Sequence, residues 1–181
     1  MDHAVMMDSK SGNEALALCL TECLSNTVVF KFKAHGHHWN VKGSDFAEFH
    51  EFFGDIYLES EEQIDAIAEL IRTRGKPVIY RLTDFANNSS ISDAEVGSDA
   101  LGMVRDLRDS NLTLLACLND TFNCAQAVND QGIMNVLADI LSKRSKLNWF
   151  LSSFLGEEAP TELPMHESML EEALEEAAEQ I

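Results

Sequence analysis

HWNVKGSDFAEFHEFFGDIYLESEEQIDAIAELIRTRGKP, residues 38–77, is the stretch that decides the fold. Within it Phe46, Phe49, Phe53, Ile56, Tyr57, Ile64, Ile67, Ala68 and Ile71 recur at the 3.6-residue period of an α-helix. Lys42-Gly43-Ser44-Asp45 offers a short connection with N-cap chemistry, and Gly75-Lys76-Pro77 ends the pattern, so a helix is predicted over 45–74. Upstream, Leu16, Leu20, Cys23, Leu24, Thr27 and Phe30 mark a helix over 13–40. Downstream, residues 76–95 read as a long crossover with a short helix near 81–87. Ser92-x-x-Glu95 reads as a capping box that opens a third long helix, reaching about residue 129. Its predicted inner face holds Leu101, Val104, Leu107, Leu112, Leu115, Leu118 and Phe122. Asp130-Gln131-Gly132 turns the chain into a fourth helix over 133–155, which carries Val136, Leu137, Ile140, Leu141, Leu147, Trp149 and Phe150.

Short loops make the first and second long helices antiparallel, and likewise the third and fourth. The long crossover lets the third run parallel to the second. That topology is an all-α, ferritin-like four-helix bundle. The expected layout is an N-terminal arm over 1–12, the bundle over 13–156 and an acidic tail over 157–181.

Net charge is -18 for 181 residues, with 45% apolar residues, enough to build one core. The tail holds nine glutamates and no Lys or Arg, and the body outside it still has 22 acids against 13 bases. Such a surface opposes phosphate-backbone binding and favours the collection of cations. No run of 18 apolar residues and no basic-then-apolar leader occurs, so a cytoplasmic protein without a membrane span is expected. The four cysteines, Cys19, Cys23, Cys117 and Cys124, form no CxxC and are expected as reduced, buried thiols.

The candidate metal ligands are His38, His50, Asp65 and Glu69. Two imidazoles and two carboxylates suit iron or zinc. Asp65 and Glu69 are four apart and share a helix face. His50 and Asp65 lie on one uninterrupted helix, so about 22 Å separates them at 1.5 Å per residue. One subunit cannot bring them to one ion. A second copy of the helix, antiparallel across a twofold axis, can. Spacing alone leaves the bland alternative open, in which the carboxylates are a solvated face and His50 is a satisfied core histidine.

His38-Trp39-Asn40-Val41-Lys42-Gly43, Phe46, His50-Glu51, Asp65 and Ala68-Glu69 together resemble the Dps signature, H-x11-H, fourteen residues, D-x3-E. The resemblance extends to the crossover length and to Asn148-Trp149-Phe150-Leu151, covering roughly residues 12–155. It implies a hollow homo-dodecamer with ferroxidase centres shared between two chains. These would oxidise ferrous iron with hydrogen peroxide or oxygen, store ferric mineral and limit oxidative damage, with zinc as a competitor for the sites. The family's other activity, DNA compaction, is disfavoured by the charge and by the lack of a basic tail. A noncatalytic metal-binding shell is the further alternative. It arises because the family places a carboxylate one turn after the second histidine, where this chain has Gly54. Asp55 is rotated from that position by about 100°. His35 reads as a secondary group near the site or an ordinary exposed histidine. His37 is expected to face elsewhere. Trp39 is read as packing rather than an electron donor. Asp130 and Asp139 suit either a pore or helix capping and a solvated face.

Overall fold

A computed structural model describes residues 9–97 and 99–159. Five helices follow in order: α1 (Ser9–Asn40), α2 (Phe46–Thr73), α3 (Leu82–Asn88), α4 (Ala100–Ala127) and α5 (Gln131–Phe154). The long four form the bundle, and α3 packs on α1 within the crossover. The all-α expectation and the bundle topology hold.

The turn chemistry of α2 acts where the sequence puts it. Gly43 at φ +127° and Gly75 at φ +71° take left-handed backbone on either side of the helix. Leu16, Leu20, Cys23, Leu24, Thr27 and Phe30 of α1 are all buried. By length and composition α1 could cross a membrane, but here its apolar side chains pack against α2, α3 and α4. Asn26 on α1 pins the crossover: its Oδ1 accepts bonds from the Ser90 amide and the Ser89 hydroxyl, both at 2.8 Å.

Several expectations need correction. α1 begins at Ser9, so part of the predicted arm is helix. The Ser92–Glu95 capping box does not form. Ser92 Oγ instead accepts from Ala94 N in a local turn, and α4 opens at Ala100 with Asp99 as its cap, accepting from Gly102 N. The sequence offers two capping residues, and Asp99 is the one adjacent to the buried run from Met103. Leu101, expected inside, is 46% exposed, because the first turn of α4 lies outside the packed seam. Cys19 and Cys124 are a disulfide rather than thiols, whereas Cys23 and Cys117 are free and buried as expected. Glu157, placed in the tail, still caps the bundle: its amide donates to Ser152 O and its carboxylate pairs with Arg108. The tail's apolar stripe of Leu163, Leu170, Leu174, Ala178 and Ile181 lies outside the described residues.

One polar, cationic cluster sits inside the otherwise apolar bundle. Arg144 on α5 is fully buried, donating to Gln63 Oε1 at 2.7 Å and Ser60 Oγ at 3.0 Å on α2, with its guanidinium over the Phe30 ring. Burial pushes its pKa down to about 10. Arg144→Ala should destabilise the protein by about 3 kcal/mol, from a cavity plus two hydrogen bonds lost to buried partners. Arg144→Met, which keeps most of the volume without a buried charge, should lose less than half of that. Urea denaturation of the two variants measures the difference.

Candidate metal centre

His38 ends α1 and His50 sits in the second turn of α2, and the hairpin between them stacks their rings at 3.7 Å. Two hydrogen bonds cross between them. His38 Nδ1 lies 2.6 Å from the His50 carbonyl oxygen, and His50 Nδ1 lies 2.8 Å from the His38 carbonyl oxygen. A carbonyl only accepts, so each Nδ1 carries the proton. That tautomer leaves the lone pair of each ring on Nε2, the arrangement of metal-ligating histidines. Both rings are half-buried, and Phe46 stacks on the outer side of His50 at 5.1 Å.

Asp65 and Glu69 lie farther along α2, both exposed. Among the described residues no three metal-ligating side chains of one chain cluster. The structure therefore brings His38 and His50 together and leaves Asp65 and Glu69 apart, about 22 Å and about 28 Å along the helix from His50. Among the described residues there is no substitute site inside the bundle either. Dimetal sites within ferritin-like bundles draw glutamates inward from all four helices. Among the described residues, the buried polar side chains include no aspartate or glutamate, and Arg144 fills the interior.

A side chain at Gly54 would meet the His38 ring. The glycine is buried, and a Cβ there would lie 3.3 Å from His38 Nδ1 and 3.4 Å from its neighbouring ring carbon. The His38 ring rests against this glycine while it bonds the His50 carbonyl. Asp55 does not turn toward the histidines. It lines a groove of about 670 Å³ between α2 and α5 with Glu48, Glu51, Glu59, Lys143 and Lys146.

His35 stacks on Tyr57 at 4.0 Å and meets Trp39 at a tilt, also at 4.0 Å, and Tyr57 meets the edge of His38 at 5.3 Å. Desolvation, then the charge of Lys31, keep the His35 imidazole below its ordinary pKa. Trp39 packs on His35 and is otherwise 62% exposed. His37 turns into the bundle, as expected of a ring facing away from the site. Its Nε2 lies 2.7 Å from Asp106 Oδ2, and Lys33 Nζ lies 2.8 Å from Asp106 Oδ1. Burial raises the Asp106 carboxyl, but hydrogen bonds from His37 and Lys33 outweigh that and hold it below its usual value. Sequence reasoning missed Asp106 and Tyr57. Tyr57 was legible only as a core position, and Asp106 lies 69 residues from His37 with no local signal. Asp130 caps α5 by accepting from Ile133 N and pairs with Arg74, while Asp139 pairs with Lys143.

The ferritin-like domain family model matches residues 19–159. General stress protein 20U of Bacillus subtilis is 31% identical over 145 residues, spanning 80% of this chain and 99% of that protein. DNA protection during starvation protein 2 of Bacillus anthracis is likewise 31% identical, over 80% of this chain and 99% of its own. Among solved structures, a Dps protein from Bacillus brevis is 30% identical with a TM-score of 0.77, covering 80% of this chain and 97% of that one. A Dps protein from Vibrio cholerae O1, described as a member of a broad superfamily of ferritin-like diiron-carboxylate proteins, is 28% identical. Its TM-score is 0.78, over 82% of this chain and 93% of that one.

The geometry makes the histidine pair sensitive to its floor. Gly54→Ala should push the His38 ring off its carbonyl partner and weaken divalent-metal binding by roughly 10-fold, the usual scale for disturbing a ligand's supporting contact. Cobalt(II) titration, read by its visible absorption, measures this. Unchanged affinity would mean that His38 does not need its present seat.

Proposed function

This chain belongs to the Dps family of ferritin-like proteins, and from that premise we propose that it is a miniferritin that oxidises ferrous iron and stores the ferric product in a hollow homo-oligomeric shell. The observation that carries the reading is the crossed His38–His50 pair, which frees both Nε2 atoms. Its complement, Asp65 and Glu69, is held too far along the same helix to serve it. A second copy with α2 antiparallel supplies the carboxylates, and symmetry gives two equivalent sites per dimer. The expected full assembly is a dodecamer.

Ferrous iron is the substrate. The two imidazole Nε2 atoms and the carboxylate oxygens are donors that suit ferrous iron, and the carboxylates offset the extra charge of the ferric product. Two ferrous ions supply the two electrons that, with two protons, convert hydrogen peroxide to two waters. Oxygen is the slower oxidant by family resemblance. Zinc fits the same donors and would compete. With Gly54 in place of a carboxylate, one ion per site is held well and a second more weakly. A shell that binds metal without oxidising it is the second reading, and Gly54 is what favours it. The reading places the protein in the cytoplasm, where ferrous iron and peroxide coexist.

His50→Ala and Asp65→Ala should each abolish rapid ferrous oxidation while leaving the helical signal unchanged. Mixed dimers of the two variants should regain activity, since one of their two sites is then built from intact donors. Stopped-flow absorbance after anaerobic iron loading reads the rate. Fast oxidation by either single variant, or by a monomer, would sink the shared-site reading. Iron taken up by wild type without oxidation would select the noncatalytic shell.

Duplex DNA should not shift in a gel free of magnesium and at low salt, because 13 bases against 31 acids leave no surface to displace counterions. A shift under those conditions would restore DNA compaction as an activity.

A further inference from the structure

Away from the histidines, the seam between α1 and α4 gathers all four cysteines. Cys19 and Cys23 are one turn apart on α1, and Cys117 and Cys124 lie two turns apart on α4. They divide into two tiers. Cys19 and Cys124 are joined and half-buried, within reach of solvent. Cys23 and Cys117 are buried, free and in hydrogen-bond contact with each other. Thr121 lies between the tiers, its hydroxyl 2.7 Å from the Cys117 carbonyl oxygen and 3.3 Å from that of Cys19.

We propose that this seam is a reversible thiol–disulfide site that takes a hydroperoxide as its oxidant, in which Cys19 and Cys124 alternate between dithiol and disulfide while Cys23 and Cys117 stay reduced. Three features carry it. First, the seam holds the outer sulfurs together without relying on their bond. Gly12 brings α1 so close to α4 that a Cβ there would lie 2.7 Å from Val128, and Leu20, Leu118 and Ala125 are fully buried in the core cluster. Reduction opens the bond but not the seam, so the thiols remain poised to rejoin. Second, only the outer pair is accessible. The contact with Cys117 and then burial push the Cys23 thiol well above its ordinary pKa, which keeps it protonated and a poor nucleophile. Third, the outer pair stands well apart from the metal centre: nineteen residues of α1 separate Cys19 from His38, about 28 Å.

The chemistry balances with no metal. One outer thiolate attacks the peroxide oxygen, forming a sulfenic acid and releasing hydroxide, which takes up a proton as water. The second thiol displaces the sulfenic oxygen as a second water and closes the S–S bond. Two electrons pass from the sulfurs to the peroxide. A small dithiol returns them by thiol–disulfide exchange.

The test uses the full chain with a chelator present, so it does not depend on ferrous oxidation. The protein is reduced with dithiothreitol, desalted anaerobically and alkylated natively, then unfolded and alkylated with a reagent of different mass. Native labelling should fall on Cys19 and Cys124, and labelling after unfolding on Cys23 and Cys117. One equivalent of hydrogen peroxide per chain should abolish the native labelling, be consumed one for one, and yield a Cys19–Cys124 linked peptide. Dithiothreitol should restore the labels. The oxidised form should also melt higher, by on the order of 10 °C, since the bond closes a long loop. Cys19→Ser, or Cys124→Ser if the first fails to fold, should consume peroxide without forming a linked peptide. Native labels that persist after peroxide, or a linked Cys23–Cys117 peptide, would overturn the proposal.

Discussion

The crossed hydrogen bonds between His38 and His50 are the contact on which the rest of the structure depends. They tie the end of α1 to the beginning of α2 and fix both ring tautomers at once. Around them the other placements follow. The His38 ring rests on Gly54, and Tyr57 meets the edge of that ring. The rigidity of α2 then sets the next constraint. A helix cannot fold back on itself, so its carboxylates are delivered to a different place from its histidine. One chain therefore holds its histidine pair and its Asp65–Glu69 pair at two separate stations.

The bundle interior reinforces that arrangement. Ferritin-like bundles can hold metal between their four helices, provided that glutamates point inward. Here the same space holds Arg144, Gln63 and Ser60, with Phe30 beneath the guanidinium. A buried cation repels a second one, and the amide and hydroxyl that surround it are occupied in bonding it. The donor set at the centre is therefore wrong for iron in both charge and type. Arg144 and its two partners fix how α5 seats on α2.

Most of the fold was legible because it rests on local signals. The apolar stripe of α2 and its two glycine-marked ends need no knowledge of distant residues, and α2 was placed to within a residue at each end. The histidine pair was legible for a similar reason: eleven residues and one hairpin lie between them. What was illegible depends on long-range contact. The Cys19–Cys124 bond spans a separation of 105 residues, and a composition argument about redox compartment could only treat all four cysteines alike. The capping box at Ser92 failed because Ser92 and Asp99 are both good caps, and packing of the crossover on α1 decides between them. Leu101 has the period of a core residue but precedes the point where α4 enters the seam. Asp106 carried no signal at all, being one acid among many until His37 and Lys33 close on it.

Asp55 brings the two themes together. One residue earlier, at position 54, a side chain would face the His38 ring. At position 55 the helix has turned by about 100°, and the carboxylate joins Glu48, Glu51 and Glu59 along the groove against α5. A single step in register thus divides α2 into three faces: an apolar one in the core, one that seats the histidines, and one rich in carboxylates. Lys143 and Lys146 line the same groove, with Phe52, Ile56, Leu147, Phe150 and Phe154 beneath, so its four carboxylates face two ammonium groups over an apolar floor. The histidine face differs, holding two ring nitrogens in a fixed arrangement. The bare position at Gly54 and the carboxylate at Asp55 thus serve different faces of α2, because one residue turns the helix by about 100°.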